Sequence, residues 1–283
     1  MNSETSEINL GTLYIVGTPI GNLEDITFRA IKTLQKVDLI AAEDTRHTGK
    51  LLQHFKIQTP QISYHQHNQQ TRIPELIETL NQGKNIALVT DAGMPGISDP
   101  GYELVEASIK ANISVVPIPG VSASITALSA SGLPTNKFIF IGFLSTKSKS
   151  RQQQLEALSN SPETIILYES PHRLKVTLED LAKVLGKDRK IVLAREITKL
   201  YEEFWRGTIG KAIIHYQSIQ PKGEFTLVIG GAKSDQPELS EATIKAELQE
   251  LFAQGISRSQ ASRQLAQQTN LSRRQIYQIA LTI

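Results

Sequence analysis

Short apolar runs separated by helix-length segments constrain this chain more than any other feature. Residues 13–16, 39–42, 86–89 and 113–117 are each long enough for a buried strand. Between them, residues 27–34, 73–80 and 103–109 have helical spacing, as does the stretch that sets Leu51, Leu52 and Phe55 on one side. Strands that alternate with helices predict a mainly parallel sheet covered by helices. Pro117-Ile118-Pro119-Gly120 is the best domain boundary, because proline fixes the backbone and glycine then frees it. A second α/β cycle follows, with strands expected at 138–141, 164–168, 191–194 and 225–229. Residues 145–154 (STKSKSRQQQ) are polar and basic and read as a mobile loop that runs into a helix.

Residues 233–237 read as a linker, and three helical segments follow it. Ile244, Leu248, Leu251 and Phe252 form one apolar face. Ser257-x-x-Gln260 and Ser272-x-x-Gln275 have capping-box spacing and mark two helix starts. With Thr269-Asn270-Leu271 between them, these helices form a helix-turn-helix-like unit. The expected organisation is therefore an α/β domain over 8–118, a second over 119–233, and a helical module over 240–283.

The C-terminal module is also where the charge gathers. From Gly255 onward there are four arginines (Arg258, Arg263, Arg273, Arg274) and no acid, so removing them from the formal +2 leaves −2 for the first 254 residues. Arg273 and Arg274 fall in the first turn of a helix, where the backbone dipole disfavours cations by ~0.3–1 kcal/mol each. That placement makes sense if RNA phosphates face this end. A solvated or packing module is the simpler alternative.

The composition excludes several classes. There is no cysteine, hence no disulfide framework, thiolate metal site or cysteine nucleophile. No apolar run approaches the ~18 residues of a membrane span. The polar, acid-bearing first seven residues lack the pattern of a signal peptide. A cytoplasmic location without membrane contact is the expectation. His65-x-His67 lies in a polar segment with no neighbouring ligand cluster, so no metal site is expected. His172, beside Pro171, reads as a helix cap. Trp205 beside Arg206 reads either as core packing or as a platform for a base.

Three loops follow predicted strands, where open α/β sheets bind ligands. They are Gly17-Thr18-Pro19-Ile20-Gly21-Asn22, the 91–101 loop (DAGMPGISDPG), and Pro119-Gly120-Val121-Ser122-Ala123. The first lacks the G-x-G-x-x-G spacing of dinucleotide sites, and no Gly-Lys-Ser/Thr occurs for a phosphate cradle. For one such loop a structural turn is the simpler reading. Three in one topological place favour a ligand site built from backbone.

These loops, together with Glu43-Asp44-Thr45-Arg46, Tyr168-Glu169-Ser170-Pro171-His172-Arg173 and Arg195-Glu196-Ile197-Thr198-Lys199, closely resemble in order the signatures of a small-subunit ribosomal RNA methyltransferase family within the tetrapyrrole methylase superfamily. The likeness runs from about Gly11 to Gly231, and the C-terminal module is also similar. It implies a homodimer of two α/β domains with the cofactor cleft between them. It also implies transfer of a methyl group from S-adenosyl-L-methionine to the ribose 2′-hydroxyl of a decoding-region cytidine in 16S rRNA of the small subunit. The cofactor contacts it carries over are Pro19, Asp91, Ala92, Gly93, Ile97, Ser98, Ser122 and Ala123, and in the second domain Tyr168, Ala194 and Thr226. The superfamily's glycine-proline-glycine-aspartate first loop is Thr18-Pro19-Ile20-Gly21-Asn22 here, which argues against a porphyrin substrate. A tetrapyrrole carbon methylase on the same scaffold, or a non-catalytic RNA-binding assembly factor, are the competing readings.

In-line methyl transfer needs no metal and no covalent intermediate, and the sulfonium charge disappears during it. A strongly anionic cage would therefore favour the ground state, and backbone carbonyls suit the site better. A ribose hydroxyl is a poor nucleophile, so a base or a cation favouring the alkoxide would help. Glu169, Arg173, Glu196 and Lys199 are the charged candidates of the second domain. Asp44 and Arg46 read as a structural ion pair. A valine at Gly93 is expected to intrude on the cofactor loop.

Overall fold

The computed structural model describes residues 10–232, 240–269 and 271–283. Its first five strands, β1 (Thr12–Val16), β2 (Leu39–Ala42), β3 (Gln61–Ser63), β4 (Ile86–Val89) and β5 (Ser114–Ile118), form one all-parallel sheet in the order β3-β2-β4-β1-β5. Alternation along each strand feeds two cores. Leu13, Ile15, Ile86 and Leu88 face α3 (Gln69–Asn81) and α4 (Tyr102–Lys110), burying Leu76, Leu80 and Leu104. Val16, Ala87 and Val89 face the other way, onto Ala30 and Leu34 of α1 (Phe28–Lys36) and Leu52 of α2 (Thr45–His54). Each such leucine or isoleucine contributes about 1.5–3 kcal/mol on burial. A central strand covered on both faces needs apolar residues on both sides, which is why β2 and β4 read as continuous runs. The Thr27 side chain starts α1 by accepting the Ala30 N–H at 3.1 Å.

The second sheet departs from the parallel expectation. β6 (Phe138–Phe143), β7 (Thr164–Glu169), β8 (Lys190–Arg195), β9 (Glu203–Thr208) and β10 (Phe225–Ile229) take the order β6-β7-β10-β8-β9. Only β6 and β7 run parallel; β10 inserts antiparallel between β7 and β8, and β9 returns antiparallel along β8. The link from β8 to β9 is too short for a helical crossover, so a hairpin forms instead. One face of this sheet packs on α6 (Ser148–Glu156), α7 (Leu174–Leu185) and α8 (Ile209–Gln217). The other packs on α5 (Ala123–Ser131), through Ala127 and Leu128 against Ile166, Val192 and Val228.

The segment expected as a mobile loop over 145–154 is helical from Ser148, and one of its basic residues, Arg151, is used internally. Arg151 is buried against Asp180 of α7, Nε to Oδ2 at 2.8 Å, and donates to the Ser145 and Thr146 carbonyls at 3.2 and 3.1 Å.

The chain divides into two compact units, Met1–Gly231 and Ala232–Ile283. In the second unit α9 (Glu241–Ala253), α10 (Arg258–Gln268) and α11 (Arg273–Ala280) close on Ile244, Leu248, Ala261, Leu265, Ile276 and Ala280. Ser272 and Gln275 form the reciprocal capping box. Ser257 caps α10 by accepting the Gln260 N–H at 3.3 Å. The expected linker at 233–237 lies outside the described residues.

Candidate active site

The glycine-rich loops leave the carboxyl ends of neighbouring parallel strands, so they start side by side. In β1 and β5, Val16 lies opposite Ile118. A Cβ on Gly17 would stand 2.7 Å from the Gly120 Cα, and one on Gly120 would meet the Gly17 Cα at the same distance, 2.7 Å. Only glycine permits that approach. The 91–101 loop docks on the same strand end. Thr18 and Gly93 exchange two backbone hydrogen bonds of 2.9 and 3.0 Å, and Thr18 Oγ1 donates to the Thr90 carbonyl at 3.0 Å.

Within this loop the Gly96 N–H donates to the Pro100 carbonyl at 3.2 Å, and Ser98 takes a left-handed φ of 65°. Such a conformation costs a non-glycine residue ~1–3 kcal/mol. It is held where the loop meets the second sheet. Gly142, at the bulge where the β6–β7 register shifts, leaves room for the Ser98 hydroxyl, which a Cβ there would meet at 2.5 Å.

The second sheet contributes a row of side chains. Thr226 of β10 pairs with Tyr168 of β7 on one side and Ala194 of β8 on the other. The Tyr168 ring stands edge-on to Phe140 and Phe143, with centroids 5.0 and 5.7 Å away. Its hydroxyl accepts the Ser124 N–H at 3.3 Å, joining the row to the start of α5.

A cavity of about 520 Å³ lies where the loops and the row meet. Asp91, Ala92, Gly93, Ile97, Ser98, Ser122, Ala123, Tyr168, Ala194 and Thr226 all line it. Pro19 does not. The Thr18–Gly93 bridge holds the chain with Pro19 buried and Ile20 at the cavity. A Cβ on Gly93 would meet only ordinary contacts, 3.7 Å to the Val121 carbonyl oxygen and 3.8 Å to Ile20. The left-handed φ of 83°, rather than intrusion, is what a larger residue there would strain.

The charged candidates separate by geometry. Glu169 lines the cavity but is buried, with Oε1 accepting the Ser170 N–H at 2.8 Å and Oε2 accepting the Thr177 hydroxyl. Arg173 does not line it; its guanidinium donates to the Leu144 carbonyl at 2.8 Å and stands 3.7 Å from Glu169. Lys199 lines it with Nζ fixed 2.9 Å from Glu196 and 2.8 Å from Glu224. Burial pushes the Lys199 ammonium down, but the hydrogen bonds to Glu224 and Glu196 outweigh it and hold the pKa above the usual lysine value. Lys199 is therefore a cation and cannot accept a proton.

Glu43 and Asp99 also line the cavity, and neither stood among the catalytic candidates. Both lie inside the motif segments quoted above, but residue type alone did not distinguish them. Glu43 Oε2 accepts the Asp91 N–H at 3.3 Å, and burial pushes its carboxyl above the usual range. Burial, then the charges of Glu43 and Asp91, push Asp99 up to about 7. The wall is thus more acidic than the expected cage of carbonyls, with Glu169 held by hydrogen bonds and Glu224 paired with Lys199.

The other residues singled out in the sequence do not line the cavity. Asp44 caps α2 and holds exposed Arg46 at 2.7 Å, and that hydrogen-bonded guanidinium keeps its carboxyl well below the usual range. His172 does not cap α7, which starts at Leu174 and whose N-cap, Arg173, makes no side-chain cap hydrogen bond. Trp205 stacks on His215 at 5.5 Å beside the core, and Arg206 donates to the Ala130 carbonyl at 2.6 Å at the end of α5. His65 and His67 stand 5.9 Å apart, and no group of three potential metal ligands occurs among the described residues. Arg258, Arg263, Arg273 and Arg274 are all exposed, and Arg273 donates to Ser259 Oγ at 2.8 Å. No helix among the described residues is long and apolar enough to cross a membrane.

Known proteins share this fold. The family model of the Tetrapyrrole (Corrin/Porphyrin) Methylases matches residues 12–213. The chain is 60% identical over 275 residues to Ribosomal RNA small subunit methyltransferase I of Synechocystis sp., covering 97% of this chain and 99% of that protein. The Bacillus subtilis protein of the same name is 47% identical over 274 residues, with 95% and 94% covered. Among solved structures, uroporphyrin-III-C-methyltransferase from Thermus thermophilus superposes with a TM-score of 0.57 at 22% identity, covering 78% of this chain and 94% of that one. Another structure of a Thermus thermophilus uroporphyrin-III C-methyltransferase, complexed with S-adenosyl homocysteine, superposes with a TM-score of 0.54 at 17% identity over 78% and 97% of the two chains. The fold, the order of its motifs and this likeness along nearly the whole sequence agree: the chain belongs to the tetrapyrrole methylase family, in its branch of ribosomal RNA small subunit methyltransferases I.

Proposed function

We propose that this chain uses S-adenosyl-L-methionine to methylate the ribose 2′-hydroxyl of a decoding-region cytidine in the 16S rRNA of the small ribosomal subunit. The observation that carries the reading is the cavity on which the loops of one sheet and the Tyr168–Thr226–Ala194 row of the other converge. Its volume of about 520 Å³ falls within the ~300–1,000 Å³ typical of small-molecule sites. Asp91 Oδ1 is buried there without a partner among the described residues, which leaves an acceptor for a donor group of the ligand. The near-full-length likeness to proteins named for small-subunit rRNA methylation supports the substrate class.

S-adenosyl-L-methionine supplies a methyl carbon on a positively charged sulfur. In this reading Asp91, Ala92, Gly93, Ile97, Ser98, Ser122, Ala123, Tyr168, Ala194 and Thr226 hold it, while Ile20 and Phe143 exclude water. Holding the hydroxyl oxygen in line with the methyl carbon contributes up to ~7–11 kcal/mol. Glu169 and Arg173 position the wall rather than react. Lys199 offers a fixed positive charge near the developing alkoxide. Arg258, Arg263, Arg273 and Arg274 contact RNA phosphates, and the working form is a cytoplasmic homodimer.

The test is transfer of labelled methyl from S-adenosyl-L-methionine to assembled small subunits that lack the modification. The reading expects label at one 16S rRNA position, resistant there to alkaline cleavage. Label on a base, or none on rRNA, contradicts it.

A further inference from the structure

We propose that Arg46 binds the RNA phosphate next to the target 2′-hydroxyl and so seats the ribose at the cavity; this rests on the methyl-transfer reading above. Arg46 belongs to the first turn of α2, just after Glu43, whose carboxyl lines the cavity and accepts the Asp91 N–H at 3.3 Å. It therefore stands beside the cavity on the first sheet's side, close enough for the Asp91 charge to act on it as well.

The side chain is 89% exposed and yet held in one place. Asp44 Oδ1 accepts from its Nε at 3.1 Å and Asp44 Oδ2 from its Nη2 at 2.7 Å. Both bonds use one edge of the guanidinium, and Nη1 has no partner among the described residues. Stability does not require this arrangement. An exposed ion pair contributes little, and Asp44 caps α2 through the Arg46 main-chain N–H at 2.8 Å, whatever side chain follows. Fixing a long side chain in solvent costs rotamer freedom, and fixing it before the ligand arrives lowers the cost of binding.

The charge of the surroundings names the ligand. Glu43, Asp91, Asp99, Glu169 and Glu224 line the cavity, and its lining lysine, Lys199, is held between Glu196 and Glu224. Such a wall repels a phosphodiester chain. A 2′-hydroxyl carries a phosphate on the neighbouring ribose carbon, so it cannot approach without one. A donor beside the wall that receives this phosphate lets the hydroxyl enter while the phosphate stays outside. The planar fork of arginine matches phosphate oxygens in a way that a lysine ammonium does not. Because Asp44 balances the charge of Arg46, the recognition works through oriented donors at contact range.

The experiment measures steady-state methyl transfer to assembled small subunits that lack the modification, for wild type, Arg46→Gln and Arg46→Lys. S-adenosylhomocysteine affinity is read in parallel by calorimetry. Arg46→Gln should raise KM for the subunits by ~10-fold or more, as expected for a lost charge-assisted hydrogen bond. Its kcat should stay within about threefold and its S-adenosylhomocysteine affinity within about twofold of wild type. Arg46→Lys, which keeps the charge but not the fork, should recover only part of the KM. A KM for Arg46→Gln within about twofold of wild type overturns the proposal alone, whatever happens to kcat. A fall in S-adenosylhomocysteine affinity that matches the rise in KM also overturns it, and so does failure of Arg46→Gln to fold, since either outcome makes the residue structural. No transfer by wild type would overturn the methyl-transfer reading and this proposal with it.

Discussion

The two sheets serve the same cavity with different materials. The first contributes backbone: Gly17 against Gly120, and Thr18 bonded main chain to main chain with Gly93. The second contributes side chains, with Lys199 braced between Glu196 and Glu224, while Arg151 on Asp180 ties together the helices α6 and α7 packed on that sheet. The contrast teaches where each half is vulnerable. In the first, adding atoms does damage; in the second, removing charge does.

The largest effect should come from the second sheet's side. Arg151→Met keeps the stem of the side chain but leaves Asp180, only 5% exposed, with Lys183 at 3.6 Å as its remaining cation. A loss of ~3–5 kcal/mol in denaturant unfolding is expected, with S-adenosylhomocysteine affinity little changed in the folded protein. A loss below about 1 kcal/mol would show that the buried pair is dispensable.

Next comes Gly17→Val, whose Cβ would stand 2.6 Å from Met94 Sδ and 2.7 Å from the Gly120 Cα. Overpacking of this kind costs ~1–3 kcal/mol. Here the strain falls on the binding loops, so S-adenosylhomocysteine affinity should drop by a larger factor than stability alone explains. Unchanged affinity by calorimetry would erase the distinction between the halves.

Lys199→Met should cost only about 1 kcal/mol, since Glu224 is mostly solvated. The pH dependence sharpens it. Lys199 has a raised pKa, so its contribution is complete below the unfolded lysine value and is lost as pH rises through the folded one. For Glu196, burial pushes up, but hydrogen bonds from the Glu224 N–H and Lys199 outweigh it. Its contribution is complete above the unfolded glutamate value and lost as pH falls through the lowered one. The stability gap between wild type and Lys199→Met should be level from about pH 5 to pH 10 and narrow outside that window. A gap that widens toward acid would contradict the pairing.

The smallest effect belongs to the helical unit. Arg274→Gln, at the exposed start of α11, should weaken RNA binding modestly and lower the salt slope by about one, leaving S-adenosylhomocysteine affinity alone. An unchanged slope would mean that Arg274 is merely solvated.

The same contrast explains what was legible in the sequence. Strands β2 and β4 stand at the residues expected because both faces are apolar, and glycine and proline marked the binding loops directly. β3 was missed, since Gln61-Ile62-Ser63 carries a single apolar residue. β9 was missed because its half-exposed edge pattern around Trp205 resembles a loop. That strand turns Trp205 toward His215, beside the core. The partners of Arg151 and Arg173 come from distant segments, and no local pattern encodes them. Asp99 was visible as a letter in a loop; its raised proton affinity arises only when the fold buries it, with Glu43 and Asp91 nearby.

A crystal structure with S-adenosylhomocysteine bound tests the central claim most directly. The account predicts the ligand between the 91–98 loop, Ser122 and the Tyr168–Thr226–Ala194 row. Ligand density elsewhere on the chain, with this cavity empty at saturating concentration, would contradict it.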